Sequence, residues 1–387
     1  MNILLLSCKT GGGHDAAANA LKEQFELMGH QAYVFDYLTL AGEKVAKRVA
    51  NAYVKTVQKV PYIFGLVYKL GMFVSKKTRN SPVYIVNQKM SKYLEKYFEE
   101  NHYDVVVMTH LYPAETLTYM RRMNIKVPPF YGVLTDYTLI PFWEETNCDG
   151  YIIPHSSLIS ECMKRGISRE KLHPLGIPFS PTILNVVPKS EAKARLSLDM
   201  NKKSILIMGG SMGAGSIVKL AKSFAKCEQL DNLQIQIVCG SNKKVYAKLM
   251  KKYVNHPSFK IIGYTKQVPS LMNAADLIYT KPGGLTSTEA AASRTALVLT
   301  DPIPGCENSN QDFFVNLKMA VTAKKSKDLV QIGLHLLEHP EKAKTMIEAQ
   351  KENIKEKTTE NIANYILGEL QTSNISVSYT HLTLPTT

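Results

Sequence analysis

Short apolar runs alternate with helical patterns along this whole chain, and that alternation is its strongest constraint on fold. A short buried strand followed by an amphipathic helix rejoins its sheet as a parallel neighbour, so repeated units build a parallel sheet with helices on both faces. In the first half the expected strands cover 3–7, 31–36, 104–109, 130–135 and 150–153; in the second, 204–208, 234–239, 259–262, 276–280 and 296–299. Between the two sets, residues 176–188 hold Pro178, Pro181 and Pro188, and helical pattern resumes at Ser190. The fold class expected is therefore α/β: two doubly wound, Rossmann-like domains facing across a cleft. They cover residues 1–177 and 190–345, with a linker at 178–189. Helical pattern runs on from Lys325 to Leu370 with a break at Pro340, and residues 346–372 are expected to pack back on the first domain. Residues 373–387 carry no Asp, Glu, Lys or Arg, and 378–387 has neither helical nor strand logic, so this tail reads as foreign to the fold.

Length and composition agree with that layout. A chain of 387 residues fits two domains of roughly 150–200 residues each, and 45% hydrophobic residues suffice for two cores. No uncharged apolar run reaches the roughly 18 residues of a membrane span, and the N-terminus reads as a first buried strand, not a signal peptide. The six cysteines are scattered without a C-x-x-C pair, which suits reduced thiols in the cytosol.

Charge is less evenly spread. The net charge is +14, and between Ala41 and Asn80 nine basic residues (Lys44, Lys47, Arg48, Lys55, Lys59, Lys69, Lys76, Lys77 and Arg79) stand against Glu43 alone. Tyr62, Phe64, Leu66, Leu70 and Phe73 are interleaved with them. Cations mixed with aromatic and aliphatic side chains suit an element lying on an anionic membrane surface, at the cytoplasmic face, where each cation contributes ~1 kcal/mol. A buried helix pair with a solvated basic face would use the same residues. Nucleic acid is disfavoured as a partner, because no nucleic-acid-binding motif accompanies the patch.

The most informative local segment is Lys281-Pro282-Gly283-Gly284-Leu285-Thr286, with Glu289, followed by Pro304-Gly305-Cys306-Glu307 and Asn310. A strand ends in two glycines and an Ala-rich helix is expected from Thr286. Bare backbone N–H groups and a positive helix end then face one point, which suits a diphosphate. Glu289, Glu307 and Asn310 suit the hydroxyls of a sugar, although Thr286-x-x-Glu289 also fits a capping box, and Glu307 and Asn310 also fit a loop before a helix at Gln311. The glycine-rich run 209–215, with Gly210 and Ser211, follows another strand, but a glycine-rich turn alone is a weak phosphate signal. No zinc-ligand spacing or P-loop lysine motif occurs.

In the first half, four polar sites follow strands: Thr10-Gly11-Gly12-Gly13-His14, His110, Asp136 and His155. In an open parallel sheet the strand carboxyl ends are where ligands meet the fold, so these sites are expected to converge. His14 at a helix start is the best candidate for a general base, because the positive helix end disfavours an imidazolium. A plain strand-to-helix turn would account for the same glycines. Asp136 could orient His14, act as the base itself, bind acceptor hydroxyls or cap a turn, and His110 could line the cleft.

With these residues in view, the chain resembles the monogalactosyldiacylglycerol synthase and processive diacylglycerol β-glucosyltransferase family of glycosyltransferase family 28, over roughly residues 2–370. The matching motifs are 10–14, 134–136 with Trp143, 209–211, 281–286 with Glu289, and 304–305 with Glu307 and Asn310. The resemblance implies a GT-B fold and inverting transfer of a hexose, glucose or galactose, from a UDP-sugar to diacylglycerol, in one round or several. It implies that His14 is or adjoins the base, with Asp136 nearby, and that Gly12, Gly13, His110 and Trp143 lie on the acceptor side. On the donor side, Gly210 and Ser211 belong to the UDP-sugar half, Gly263 and Tyr264 lie by uracil, and Glu289 by ribose. Gly283, Gly284 and Thr286 lie by the diphosphate, and Glu307 and Asn310 by the hexose. UDP-hexose, diacylglycerol and an anionic membrane are the partners implied, with no cofactor and no metal. Cys306 departs from the glutamine common in that family, which bears on sugar choice. Three other functions share the fold or its ligand: a lipid II-type N-acetylglucosaminyltransferase, a UDP-N-acetylglucosamine epimerase, and a non-catalytic UDP-sugar sensor.

Overall fold

A computed structural model of the chain describes residues 1–9, 12–59, 61–75, 81–184 and 187–380. The first six strands are β1 (Asn2–Ser7), β2 (Gln31–Asp36), β3 (Val105–Met108), β4 (Phe130–Val133), β5 (Gly150–Ile152) and β6 (Leu172–His173). They form one parallel sheet in the order β2-β1-β3-β4-β5-β6. The next six are β7 (Lys203–Met208), β8 (Leu233–Val238), β9 (Phe259–Ile262), β10 (Leu277–Thr280), β11 (Ala296–Leu299) and β12 (Val321–Thr322). They form a second parallel sheet, β12-β11-β10-β7-β8-β9. Both expected domains are present. All ten expected strands occur, and the two missed ones, β6 and β12, are two-residue edge strands too short to carry a periodicity.

The first sheet has a core on each face, as helix-covered parallel strands require. Leu4, Leu6, Val106 and Met108 point to one core, and Ile3, Leu5, Val105 and Val107 to the other. Helix α1 (Gly13–Leu27) covers the second face with Ala18, Leu21 and Phe25. The long helix Thr358–Thr380 covers it too, burying Ile362, Ala363, Ile366, Leu367 and Leu370. The chain returns to the first domain only from Thr358, not from residue 346: Met346 and Ile354 belong to the core of the second domain. That helix continues to Thr380, three residues into the stretch expected to lack helical logic, because extending a formed helix needs no new nucleus. Residues 381–387 lie outside the described residues.

Between β2 and β3 the described residues hold a 3-10 helix (Tyr37–Ala41) and four α-helices, beginning with α2 (Glu43–Lys59) and α3 (Pro61–Ser75) and ending with Pro82–Gln88 and Ser91–Glu100. Among the described residues no helix is long and apolar enough to cross a membrane. The linker is tied down at Phe179, whose N–H and carbonyl both bond the Thr359 hydroxyl, at 3.1 and 2.7 Å.

Candidate active site

Strand order alone says where a ligand should sit. In the first sheet the chain turns back beside β1, whose neighbours are β2 and β3; in the second it does so beside β7, between β8 and β10. Crevices form outside the carboxyl ends of strands at such switch points. The loops after β1, β4, β7 and β10 meet there around a cavity of about 310 Å3. Its lining includes Gly12, Gly13, His14 and Asp136 from the first domain, and Gly210, Ser211, Tyr264, Gly283, Gly284, Thr286, Glu289, Cys306 and Glu307 from the second. That volume lies at the small end of ligand sites.

The glycine turns at this cleft press against the opposite domain. A β-carbon on Gly12, whose φ is +82°, would stand 2.5 Å from the Ser211 hydroxyl, and one on Gly284 would overlap the Thr135 carbonyl oxygen. The sequence suggests room for a substrate at both turns; the structure adds that the two domains touch through them. Thr10 and Gly11 lie outside the described residues.

His14 is the second residue of α1. Its Nδ1 lies 2.7 Å from the Thr109 carbonyl and 3.1 Å from the Thr135 hydroxyl. A carbonyl only accepts, so Nδ1 donates its proton there, and in the neutral ring it is Nε2 that keeps the lone pair a general base needs. Asp136 does not orient this ring. Its Oδ1 accepts from the Asn310 amide at 2.8 Å.

His110 packs edge-to-face on His14, with centroids 4.7 Å apart. It caps the helix Leu111–Arg122 by accepting from the Tyr112 N–H, at 3.3 Å. Burial, with His14 adding to it, holds His110 well below the ordinary imidazole range and therefore neutral. Trp143 is only 2% exposed and packs in the core of the first domain behind His110, away from the large cavity. His155 does not join the cleft. It lines a separate cavity at the hinge with Tyr137 and Lys355.

In the second domain the helix begins at Gly284, not Thr286, and covers Gly284–Ala292 with Gly283 as N-cap. Thr286 is therefore inside the first turn and forms no capping box with Glu289. Glu289 faces the cavity instead, and desolvation lifts its carboxyl to about 7. The next helix likewise starts early, at Cys306, because Gly305 takes φ +134° and turns the chain directly into it. Glu307 and Asn310 thus lie on a helix, not a loop.

Glu307 pairs with Lys281 through Oε1, and its Oε2 accepts from the Ile303 N–H at 2.8 Å. Asn310 is fully buried, donating to Asp136 and, at 3.0 Å, to the Pro282 carbonyl, and accepting from the Tyr137 N–H at 2.7 Å. It clamps the domains together and reaches no open space. Burial, together with Asp136 and Glu307, pushes the Cys306 thiol up, so it stays protonated. Gly263 and Tyr264 follow β9 at the outer end of the cavity, and Tyr264 is 72% exposed.

Helix α3 crosses the cleft. A β-carbon on its Gly65 would stand 2.7 Å from Cβ of Pro304 in the second domain, while Gly71 faces Pro141 and Phe142. Tyr68 points inward near Cys306 and Asp136, and burial raises its hydroxyl above the ordinary tyrosine range. Leu66, Leu70 and Phe73 point outward, 68%, 60% and 55% exposed. Lys44, Lys47 and Arg48 are exposed on α2. Lys55, Lys59, Tyr62, Phe64 and Lys69 have helical backbone, their side chains being undescribed, while Lys76, Lys77 and Arg79 lie outside the described residues. Sequence reasoning assigned no role to Lys281, Tyr137 or Tyr68, because the partners of each are distant in sequence.

Comparison with known proteins agrees with this architecture. Residues 14–179 match the monogalactosyldiacylglycerol (MGDG) synthase family, and residues 204–362 match the glycosyltransferase family 28 C-terminal domain. A processive diacylglycerol β-glucosyltransferase of Bacillus pumilus is 29% identical over 357 residues, covering 91% of this chain and 90% of that one. The MurG structure of Acinetobacter baumannii superposes with a TM-score of 0.61 at 16% identity, over 95% of this chain and 99% of that one. The S. aureus MnaA structure, determined with UDP, gives 0.63 at 15% identity, over 96% and 97%. These two share the GT-B arrangement of two Rossmann-like domains. The chain thus joins a monogalactosyldiacylglycerol synthase domain to a glycosyltransferase family 28 C-terminal domain, the make-up of a UDP-sugar-dependent hexosyltransferase.

Proposed function

We propose that this protein moves a hexose from a UDP-sugar to the free hydroxyl of diacylglycerol at a membrane surface, with inversion at the anomeric carbon. The observation that carries the reading is the pairing within one cavity of His14, its Nδ1 committed to the Thr109 carbonyl, with the N-terminus of the Gly284–Ala292 helix. The names and reach of the curated relatives support the lipid acceptor.

In this reading the residues divide the work as follows. UDP lies along the second domain, with uracil by Gly263 and Tyr264 and ribose on Glu289. The diphosphate meets the N–H groups of Gly283, Gly284 and Thr286, and Glu307 contacts the hexose. The acceptor hydroxyl comes from the first domain beside His14, which takes its proton as the oxygen attacks the anomeric carbon. Backbone N–H groups and the helix dipole stabilise the departing diphosphate in place, so the transfer requires no metal.

The membrane contact is assigned to α2 and α3. Leu66, Leu70 and Phe73 recur at helical spacing on one outward face, and Lys44, Lys47 and Arg48 stand on the adjoining helix. Such a helix lies in the plane of an anionic membrane with its apolar face in the acyl boundary. This puts the mouth of the cleft against the lipid at the cytoplasmic face.

The test is direct. Diacylglycerol vesicles are incubated with UDP-glucose, UDP-galactose or UDP-N-acetylglucosamine, with and without EDTA, and the lipids are analysed. Hexosyldiacylglycerol formed at equal rates with and without EDTA supports the reading. Activity lost to EDTA and restored only by Mg²⁺ or Mn²⁺ contradicts the metal-free step, and sugar transfer confined to a polyprenyl acceptor contradicts the lipid assignment.

A further inference from the structure

Lys281 is buried in the middle of the cavity, and the proposed reaction has so far given it no task. Its side chain is 11% exposed and that of Glu307, its partner, is 9% exposed. The side chain lies across two glycine turns. A β-carbon on Gly210 would stand 3.2 Å from Cε of Lys281, and one on Gly283 would stand 3.1 Å from Nζ. Those turns follow β7 and β10, the strands that flank the switch point of the second sheet. Its ammonium therefore sits where the backbone of both turns is bare.

We propose that Lys281 is the cation that receives the charge of the departing nucleoside diphosphate, and that its pair with Glu307 is the resting arrangement it leaves when the donor binds. The proposal rests on the UDP-sugar reading above. In the transfer step the acceptor oxygen bonds to the anomeric carbon as the bond from that carbon to the β-phosphate oxygen breaks. The proton goes to Nε2 of His14, and the electron pair goes to the phosphate oxygen. An ammonium fixed beside that oxygen in a largely dry cleft stabilises the charge as it forms.

The pairing with Glu307 balances a nearly buried charge. A buried ammonium without a partner is strongly unfavourable, and the Glu307 carboxylate, carried on the helix that begins at Cys306, satisfies it. Glu307 is in turn held by the Ile303 N–H through its other oxygen, at 2.8 Å, so it stays in position when Lys281 turns to the diphosphate. Oε1 is then released to accept a hydroxyl from the hexose. One ion pair thereby makes sugar recognition conditional on a bound diphosphate. It also supplies positive charge at a site whose neighbours Asp136, Glu289 and Glu307 are all acidic.

The experiment compares UDP with uridine by calorimetry on the wild type, on Lys281→Met, and on the double variant Lys281→Met/Glu307→Gln, which leaves no carboxylate stranded. Thermal unfolding reports whether each variant is folded. The expected result is a loss of UDP affinity on the order of 10- to 100-fold in both variants, with uridine affinity unchanged within about twofold. An equal fall for UDP and uridine in the folded double variant would mean a structural role and overturn the proposal, as would unchanged UDP affinity. A wild type that binds neither ligand overturns the donor reading itself, and this proposal with it.

Discussion

The two sheets differ at one edge. The second runs β9-β8-β7-β10-β11-β12, so the chain after β8 adds an edge strand before crossing back to β10. The first runs β2-β1-β3-β4-β5-β6, and among the described residues the chain after β2 adds no strand there. It makes four helices instead, and α3 among them reaches across the cleft to Pro304. The second domain keeps the strand order of a nucleotide-binding sheet, while the first carries, in place of an edge strand, a helical surface that exposes Leu66, Leu70 and Phe73. A nucleotide needs a rigid backbone cradle. A lipid acceptor needs a surface that can leave water, and a parallel sheet edge does not provide one.

The contrast can be broken first at the chemistry. His14→Ala should reduce transfer by roughly 10²- to 10⁴-fold, the usual contribution of a general base. UDP affinity, a property of the other domain, should stay unchanged by calorimetry; a parallel loss of UDP binding would merge the two halves. Gly284→Ala comes next. Its methyl would overlap the Thr135 carbonyl, so the domains must part, and a displacement of about 1 Å can cost ~10²-fold in rate. Initial rates alongside thermal unfolding separate failed closure from failed folding.

The proposed membrane contact is tested by replacing Leu66, Leu70 and Phe73 with serine together. Each apolar side chain is worth roughly 1.5–3 kcal/mol when fully buried, so vesicle flotation should fall by ~10²-fold or more. Transfer to a short-chain, water-soluble diacylglycerol should persist. Equal losses on both acceptors would place the stripe inside the catalytic machinery.

The smallest expected effect belongs to Glu289. Its desolvated carboxyl titrates at about 7, and the ionised form is the better acceptor for ribose hydroxyls. Uridine, which has no phosphate to titrate, should therefore bind a few-fold (~2–5) more tightly at pH 8 than at pH 6. That slope should vanish in Glu289→Gln. A slope that survives the substitution assigns the titration to another group.

What the sequence disclosed follows the range of the forces involved. Strand runs and glycine turns are local patterns, so ten strands and the position of the cleft were legible. Helix starts were less so: Gly283 and Gly305 set the beginnings at Gly284 and Cys306, two and five residues ahead of the expected Thr286 and Gln311. Contacts between domains left no local trace. Asn310 reads as a sugar ligand in sequence, yet its amide is committed to Asp136, Pro282 and Tyr137, the nearest of which is 28 positions away. Lys281 stood inside the most informative motif, but its burial against Glu307 is a fact of packing. Nor could composition tell that Tyr68 turns inward from the same helix whose Leu66 and Leu70 turn outward.

The central claim is a single displacement, with the base on one domain and the leaving diphosphate on the other. The configuration of the product tests it most directly. With an α-linked UDP-hexose as donor, proton NMR of the purified glycolipid should show the β-anomer alone from the first turnover. An α-linked product would mean that sugar and acceptor do not meet across this cleft in one step, and would contradict the account.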